Sequence, residues 1–233
     1  MPALCLIGPG RAGRSVSAGL VAAGWELRQV LGRGADVARA ARDVDLVLVA
    51  TPDSTVAVVA GAIEPVATTV VAHLAGSLGL DALEPHGRRA SLHPIVSMAG
   101  PATPLAGAWF AVAGDPMAAR LVADLGGRPV VVADAARVLH HAAATIAANH
   151  LVALLGQVER VAGAAGVPLE AYLALARGAL DNVAALGPAA ALTGPVCRGD
   201  EATVARHLAA LDPPERAAYE ALAAAARRLV PPS

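Results

Sequence analysis

The segment Leu4-Cys5-Leu6-Ile7-Gly8-Pro9-Gly10-Arg11-Ala12-Gly13 constrains the fold more than any other part of the chain. Apolar residues run into glycines spaced G-x-G-x-x-G, and a stretch of helical character, 11–23, continues to Gly24. The order predicts a strand, a tight turn and a helix. Gly8 permits the turn, Gly10 leaves backbone bare for the approach of phosphates, and Gly13 lets the helix pack close to the strand. The helix N-terminus favours anions through its unpaired amides and its dipole. In this context the pattern reads as a dinucleotide-binding fingerprint made of Gly8, Pro9, Gly10, Arg11, Ala12 and Gly13. The competing reading is a glycine turn in a nucleotide-free α/β domain.

The next elements place further cofactor contacts. Residues 25–31 are predicted to be a second strand, ending in Gly32-Arg33-Gly34. An enzyme using NAD usually carries an acidic residue in this region to hold the ribose hydroxyls, whereas a guanidinium accommodates a 2′-phosphate. Arg33 therefore favours NADP over NAD. Asp36 lies just beyond and serves equally as the cap of a short predicted helix, 37–42. The apolar run 45–50 has the pattern of a strand buried on both faces, and it ends at Thr51 and Pro52, which should line the cofactor. Asp53 or Ser54 then starts a helix, and a simple cap is as good a reading for Asp53 as a binding role. A strand at 69–74 delivers Ala75-Gly76-Ser77 to the same sheet edge, with Gly76 near the nicotinamide half.

Beyond this point the pattern changes. A short strand in 90–98 is expected to end in a His93-Pro94 turn, followed by a proline-rich loop, 101–104, strands at 109–113 and 129–132, and a helix at 117–125 between them. From residue 135 the chain reads as helical: 136–165, 169–186, and two further helices after Thr203 and Pro214. The expected organisation is a Rossmann domain, 1–134, and an all-α domain, 135–233. The long first helix is apolar over several turns, which predicts packing against other helices and a homodimer.

Composition narrows the partners. A formal net charge of −1 without a basic block argues against nucleic acid and anionic membranes, leaving a small-molecule substrate. Apolar runs fall short of the ~18 residues of a membrane span, and the start Met1-Pro2-Ala3 has no basic n-region, so a cytoplasmic location is expected. The two cysteines form no scaffold; Cys5 reads as inert core and Cys197 as a loop residue.

Four polar clusters are candidates for chemistry. His93 reads either as a substrate or proton contact or as a hydrogen-bonded structural histidine. His140 and His141 open the long helix, and His141, Thr145 and Asn149 follow at i, i+4 and i+8, which places them on one α-helical face. A metal site is not expected, because neither H-E-x-x-H nor a supporting carboxylate is present. Thr193 and Arg198 sit on a glycine-bounded loop where Arg198 can clamp a carboxylate through two hydrogen bonds. Asp200 is read as the cap of the next helix. Ser97, beside Met98, adds one hydrogen-bonding group.

The fingerprint, Leu92-His93-Pro94, the segment 107–114 with Asp115, His141 with Asn149, and the loop from Leu192-Thr193-Gly194-Pro195 to Arg198-Gly199-Asp200 together resemble the bacterial Rossmann-like proteins with a C-terminal domain of unknown function 2520. The resemblance covers nearly the whole chain. It implies the 6-phosphogluconate dehydrogenase-like architecture shared with pyrroline-5-carboxylate, prephenate and ketopantoate enzymes: an N-terminal NADP domain, a helical C-terminal domain and usually a dimer. His93-Pro94 is similar to the His-Pro of prephenate dehydrogenases, and Asn149 to the helix asparagine of β-hydroxyacid dehydrogenases. Those dehydrogenases carry a lysine on the asparagine helix, but this chain contains none. His141 is the nearby group able to do acid-base work. The expected activity is NADP-dependent reduction of a small 2-oxo acid such as ketopantoate, with the active site between the domains and with His141, Asn149 and His93 as catalytic groups. Imine reduction of the pyrroline-carboxylate type and a non-catalytic dinucleotide sensor are the alternatives.

Overall fold

A computed structural model describes residues 1–100 and 102–230. The chain divides into two compact units, Met1–Ala148 and Asn149–Ser233. The first contains β1 (Ala3–Ile7), α1 (Arg11–Ala22), β2 (Glu26–Leu31), β3 (Leu46–Val49), α2 (Asp53–Gly61), β4 (Val70–His73), β5 (Arg89–Ile95), β6 (Trp109–Gly114), α3 (Met117–Asp124), β7 (Arg128–Val131) and α4 (Arg137–Thr145). Its sheet has the order β2-β1-β3-β4-β5-β6-β7. The first five strands in that order are parallel, β6 is antiparallel to β5, and β7 runs parallel to β6.

Alternation of side chains along the strands separates two cores. Leu4, Leu6, Leu46, Leu48, Ala72, Leu92 and Phe110 face α1 and α3, where Val16, Leu20, Leu121 and Val122 cover them. Cys5, Ile7, Val47, Val49 and Val71 face the other way, against Val56 and Ala60 of α2 and against Leu83. Every residue of β1, β3 and β4 is buried, as expected for central parallel strands covered on both sides.

The second unit contains α5 (Leu151–Ala164), α6 (Leu169–Leu186), the short α7 (Pro188–Ala191), α8 (Glu201–Ala210) and α9 (Pro213–Arg227). Asp200 caps α8 as read from the sequence: its carboxylate accepts from the Thr203 amide at 3.0 Å and from the Thr203 hydroxyl at 2.7 Å. Arg160 holds Glu215 through two bonds of 2.6 and 3.0 Å, joining α5 to α9.

Several sequence-based expectations need correction. The segment 37–42 forms turns rather than a helix, and Asp36 accepts from the Ala38 amide at 3.0 Å. Pro52, not Asp53, occupies the cap position of α2, and Asp53 makes no cap bond there. His93-Pro94 does not turn the chain; β5 continues through it, paired with β6 at His93↔Ala111 and Pro94↔Phe110. The expected domain division is at 134/135, while the compact units divide at 148/149; Asp134 accepts from the Leu80 amide and His140 contacts His93 within the first unit. The polar stripe of His141, Thr145 and Asn149 is broken in register by a π-helical segment, Ile146–His150, where the spacing of residues per turn widens. Asp134–Ala164 is one continuous helical stretch with mean hydropathy 1.4, long and apolar enough to cross a membrane by length and composition alone. His140, His141, Asn149 and His150 interrupt its apolar surface. Pro101 of the expected loop 101–104 lies outside the described residues.

Candidate active site

Strand order reverses between β1 and β3, the position at which open parallel sheets bind ligands beyond the carboxyl ends of their strands. Both carboxyl ends are built for close approach. Gly8 has φ +88°, and a Cβ there would lie 2.7 Å from the Ala50 carbonyl oxygen. Its amide donates to the Leu31 carbonyl at 2.9 Å, tying the turn to β2. A Cβ on Gly13 would lie 2.6 Å from the Gly8 carbonyl, so α1 approaches the turn as closely as glycine allows. At Gly10 a Cβ would meet nothing within 4 Å. Gly10 is also the N-cap of α1 and provides no side-chain cap, which leaves the first-turn amides of Arg11, Ala12 and Gly13 without a capping side chain. Pro9 accepts from Arg14 Nε at 2.7 Å.

The flanking candidates surround this turn. Arg33 is exposed in a turn closed by the Ala35 amide on the Gly32 carbonyl, two residues past Leu31. Among the described residues it has no ion-pair partner. Thr51 lies at the end of β3, with its hydroxyl buried and lacking a hydrogen-bond partner, and Pro52 follows it.

A second group gathers at the carboxyl ends of β4 and β5. His73 pairs with Ser91 in the sheet register, so His73, Ser91 and, two residues on, His93 project from one face. α4 brings His140 and His141 to His93. His93 Nδ1 lies 3.0 Å from His140 Nε2, with the rings nearly perpendicular at 5.2 Å; the His141 ring centre is 5.8 Å from that of His93. Gly76 fits between them: a Cβ on it would lie 2.6 Å from His141 Cδ2 and 2.9 Å from His93 Nε2. Next to it, the Ser77 hydroxyl donates to Asp53 at 2.9 Å, giving Asp53 a partner in this loop. Gly76, His93 and His141, which the sequence placed in separate clusters, thus lie together.

Three further residues complete the cluster. In the sequence His140 stands out only as a neighbour of His141. Here both reach His93. Arg137 is fully buried; its Nε donates to Asp134 at 3.2 Å, while Nη1 and Nη2 lack partners. Asp134 also accepts from the Leu80 amide at 3.1 Å, and His73 Nε2 donates to the adjacent Gly79 carbonyl at 3.2 Å. The i, i+3 spacing of Asp134 and Arg137 was a sequence signal for this ion pair, but nothing local announced its burial.

Burial and neighbouring charge disfavour protonation of His73, His93 and His140. Burial, aided by His140, His141 and Arg137 and opposed by Asp53, lowers His93 to about 4. Burial and the Arg137 charge also lower His140, and burial lowers His73. A histidine depressed in the folded state binds its proton more readily when unfolded, so its stabilising contribution is complete above pH 6.5 and is lost as the pH falls towards 4. The urea midpoint of the protein is therefore expected to drop between these values. His93→Gln should flatten the drop, and an unchanged slope would show that His93 is not the group responsible.

The remaining candidates lie elsewhere. Ser97 is exposed after β5, while Met98 packs on the α1 side of the sheet. Asn149, in the π-helical segment, is exposed. Thr193 lines a largely apolar cavity of about 880 Å3 within the second unit, together with Leu154, Tyr172, His207 and Tyr219. Arg198 is exposed in the turn preceding Asp200. Cys5 is buried, which raises its thiol to about 11, and Cys197 is exposed. Among the described residues no group of three His, Cys, Asp or Glu side chains converges to hold a metal ion.

An open sheet with a glycine turn at its switch point, followed by a helical unit, defines a protein with a Rossmann-type N-terminal half. Residues 110–226 match the family described as Domain of unknown function (DUF2520), and the chain belongs to that family. No curated protein sequence matches. Among solved structures, the chain is similar to a candidate NADP oxidoreductase, BF3122 from Bacteroides fragilis, at 21% identity and TM-score 0.83, covering 97% of this chain and 98% of that one. It is similar to a reductive aminase from Aspergillus terreus in complex with NADPH and ethyl-5-oxohexanoate, at 16% identity and TM-score 0.68, covering 98% and 94%. It is also similar to Plasmodium falciparum pyrroline carboxylate reductase with NADP bound, at 12% identity and TM-score 0.64, covering 98% of each chain. At these identities the likeness is one of fold.

Proposed function

We propose that the protein is an NADP-dependent oxidoreductase that reduces a small carbonyl or imine compound by hydride transfer. The observation that carries this reading is the turn itself: bare backbone at Gly10 opens onto the uncapped N-terminus of α1, at the switch point of the sheet. Those residues suit a pyrophosphate, and the unpartnered Thr51 hydroxyl beside them has hydrogen-bonding capacity left for a ligand. Arg33 supplies the cation for a 2′-phosphate. The names of the structural neighbours, NADP oxidoreductase, reductive aminase and pyrroline carboxylate reductase, point the same way.

NADPH, when bound, supplies the hydride. The chain's own part is to hold the substrate and to manage its proton. Gly76 keeps the floor of the site low, and His93 and His141 flank it. Arg198 is the proposed ligand for a substrate carboxylate, and Asn149, Ser97 and Thr193 are proposed polar contacts. The first substrate class is a 2-oxo acid of the ketopantoate kind. Imine reduction is the second reading, favoured by the absence of lysine: a protonated imine arrives with its proton and needs less acid catalysis than a ketone. The protein is further proposed to act as a homodimer through its C-terminal helices.

Titration with NADPH and NADH, following nicotinamide fluorescence, tests the cofactor. NADPH should bind more tightly, and Arg33→Ala should abolish the preference. NADPH consumption with panels of oxo acids and imines then separates the two substrate classes. Binding of neither nucleotide would overturn the proposal; tight NADPH binding without turnover on either panel would favour a dinucleotide sensor.

A further inference from the structure

The two poles of the His93 ring face different surroundings. Nδ1 lies 3.0 Å from His140 Nε2, and Nε2 is turned to the Gly76 backbone at the carboxyl end of β4. One proton must lie between Nδ1 and its partner, and whichever imidazole holds it determines what His93 offers at its other pole. Protonation of both rings would set two N–H groups against each other across 3.0 Å, and protonation of one would place an imidazolium in the pair. The surroundings disfavour that state: the buried Arg137 guanidinium lies within Coulombic reach of both rings, His141 adds a second imidazole beside His93, and Asp53 is the opposing carboxylate. The dyad is therefore a pair of neutral rings sharing a single N–H···N bond.

We propose that His140 is a positioning residue that donates its Nε2–H to His93 Nδ1, so that His93 presents Nε2–H at the Gly76 loop as a hydrogen-bond donor to the carbonyl oxygen or imine nitrogen of the substrate. The substrate and the choice of tautomer rest on the reductase reading above; the contact between His93 and His140 does not. A neutral imidazole can polarise a carbonyl as a donor without ever becoming imidazolium, which suits a site holding Arg137 and no lysine. The opposite tautomer, with Nδ1–H of His93 donating to His140, would leave Nε2 as an acceptor and make the pair unable to serve a developing oxyanion. Gly76 contributes by having no Cβ: an alanine there would collide with His93 Nε2 at 2.9 Å and with His141 at 2.6 Å, closing the approach to the donor.

The test is a long-range 1H–15N correlation spectrum of the full chain labelled at histidine, recorded at neutral pH, with His93 assigned by the signal lost in His93→Gln. The expected result is a pyridine-type Nδ1 and a pyrrole-type Nε2 for His93. In His140→Ala these shifts should move towards the average of two exchanging tautomers. His140→Gln, whose amide N–H can reach Nδ1, should restore them. A purely structural His140 would not produce rescue by a donor of different shape. A protonated Nδ1 in the parent protein, or a His93 signature unmoved by His140→Ala, overturns the proposal. If His140→Ala does not fold, the parent and His140→Gln spectra decide it between them. NADPH titration of the same samples keeps the two readings apart: failure to bind sinks the reductase function while the tautomer result stands, and normal binding with the wrong tautomer sinks only the role of His140.

Discussion

Gly8→Ala should destabilise the N-terminal unit by about 3 kcal/mol, whereas Gly10→Ala, two residues away, should cost less than about 1 kcal/mol and act on the cofactor instead. The difference lies in what surrounds each glycine. At Gly8 a methyl group meets the Ala50 carbonyl oxygen at 2.7 Å and the Thr51 amide at 2.9 Å, both backbone atoms of a buried strand end, and φ is +88°. Neither the strain nor the collision can be relieved by a side-chain rotation. At Gly10 the backbone is ordinary, with φ −76° and ψ −173°, and the methyl group would enter empty space. That space is the proposed seat of the pyrophosphate, so Gly10→Ala should weaken NADPH binding at least about tenfold, or ~1.4 kcal/mol. Urea denaturation and fluorescence titration of the two variants read the two effects separately. Unchanged NADPH affinity in a folded Gly10→Ala protein would remove the phosphates from this turn.

If the proposed homodimer forms through α6, Val183→Glu should convert it to a monomer. None of the 18 residues of α6 is buried within the chain, yet Leu175 is 69% exposed, Leu186 60% and Val183 41%. At 3.6 residues per turn these three fall within an arc of about 80°. An apolar stripe of this width on a helix with no buried residue is costly to leave in water, and a second copy of the chain offers the matching surface. A glutamate at Val183, one edge of that stripe, would have to be buried unpaired, at a cost of several kcal/mol. Light scattering should give the parent twice the 23.1 kDa mass of the chain, and Val183→Glu a single mass with its helical circular dichroism retained. A monomeric parent would sink this proposal.

Much of this architecture is legible residue by residue. The apolar run before Gly8, the three glycines, the uninterrupted apolar strand at β3, the Asp200 cap and the helix breaks at Gly166, Pro168 and Gly187 are local signals: each depends on a backbone torsion, a missing donor or a short-range bond. The errors fall where local preference was overruled from a distance. His93-Pro94 has the composition of a turn, but β6 lies antiparallel beside it and keeps β5 extended. Residues 37–42 have helical composition, but the segment forms turns with Ala40 and Ala41 buried beneath the sheet's α2 face.

The sequence by itself determined the class of fold and the position of the glycine turn, because strand, turn and helix propensities act over a few residues and the spacing of three glycines has few structural uses. Only the tertiary structure decided which histidines form a pair, that Arg137 is buried beside them, and that the first compact unit extends to residue 148. Those facts depend on how α4 lies over the ends of β4 and β5, with partners 47 residues apart in the case of His93 and His140. No local pattern records such a contact, since it is set by sheet register and helix packing acting together.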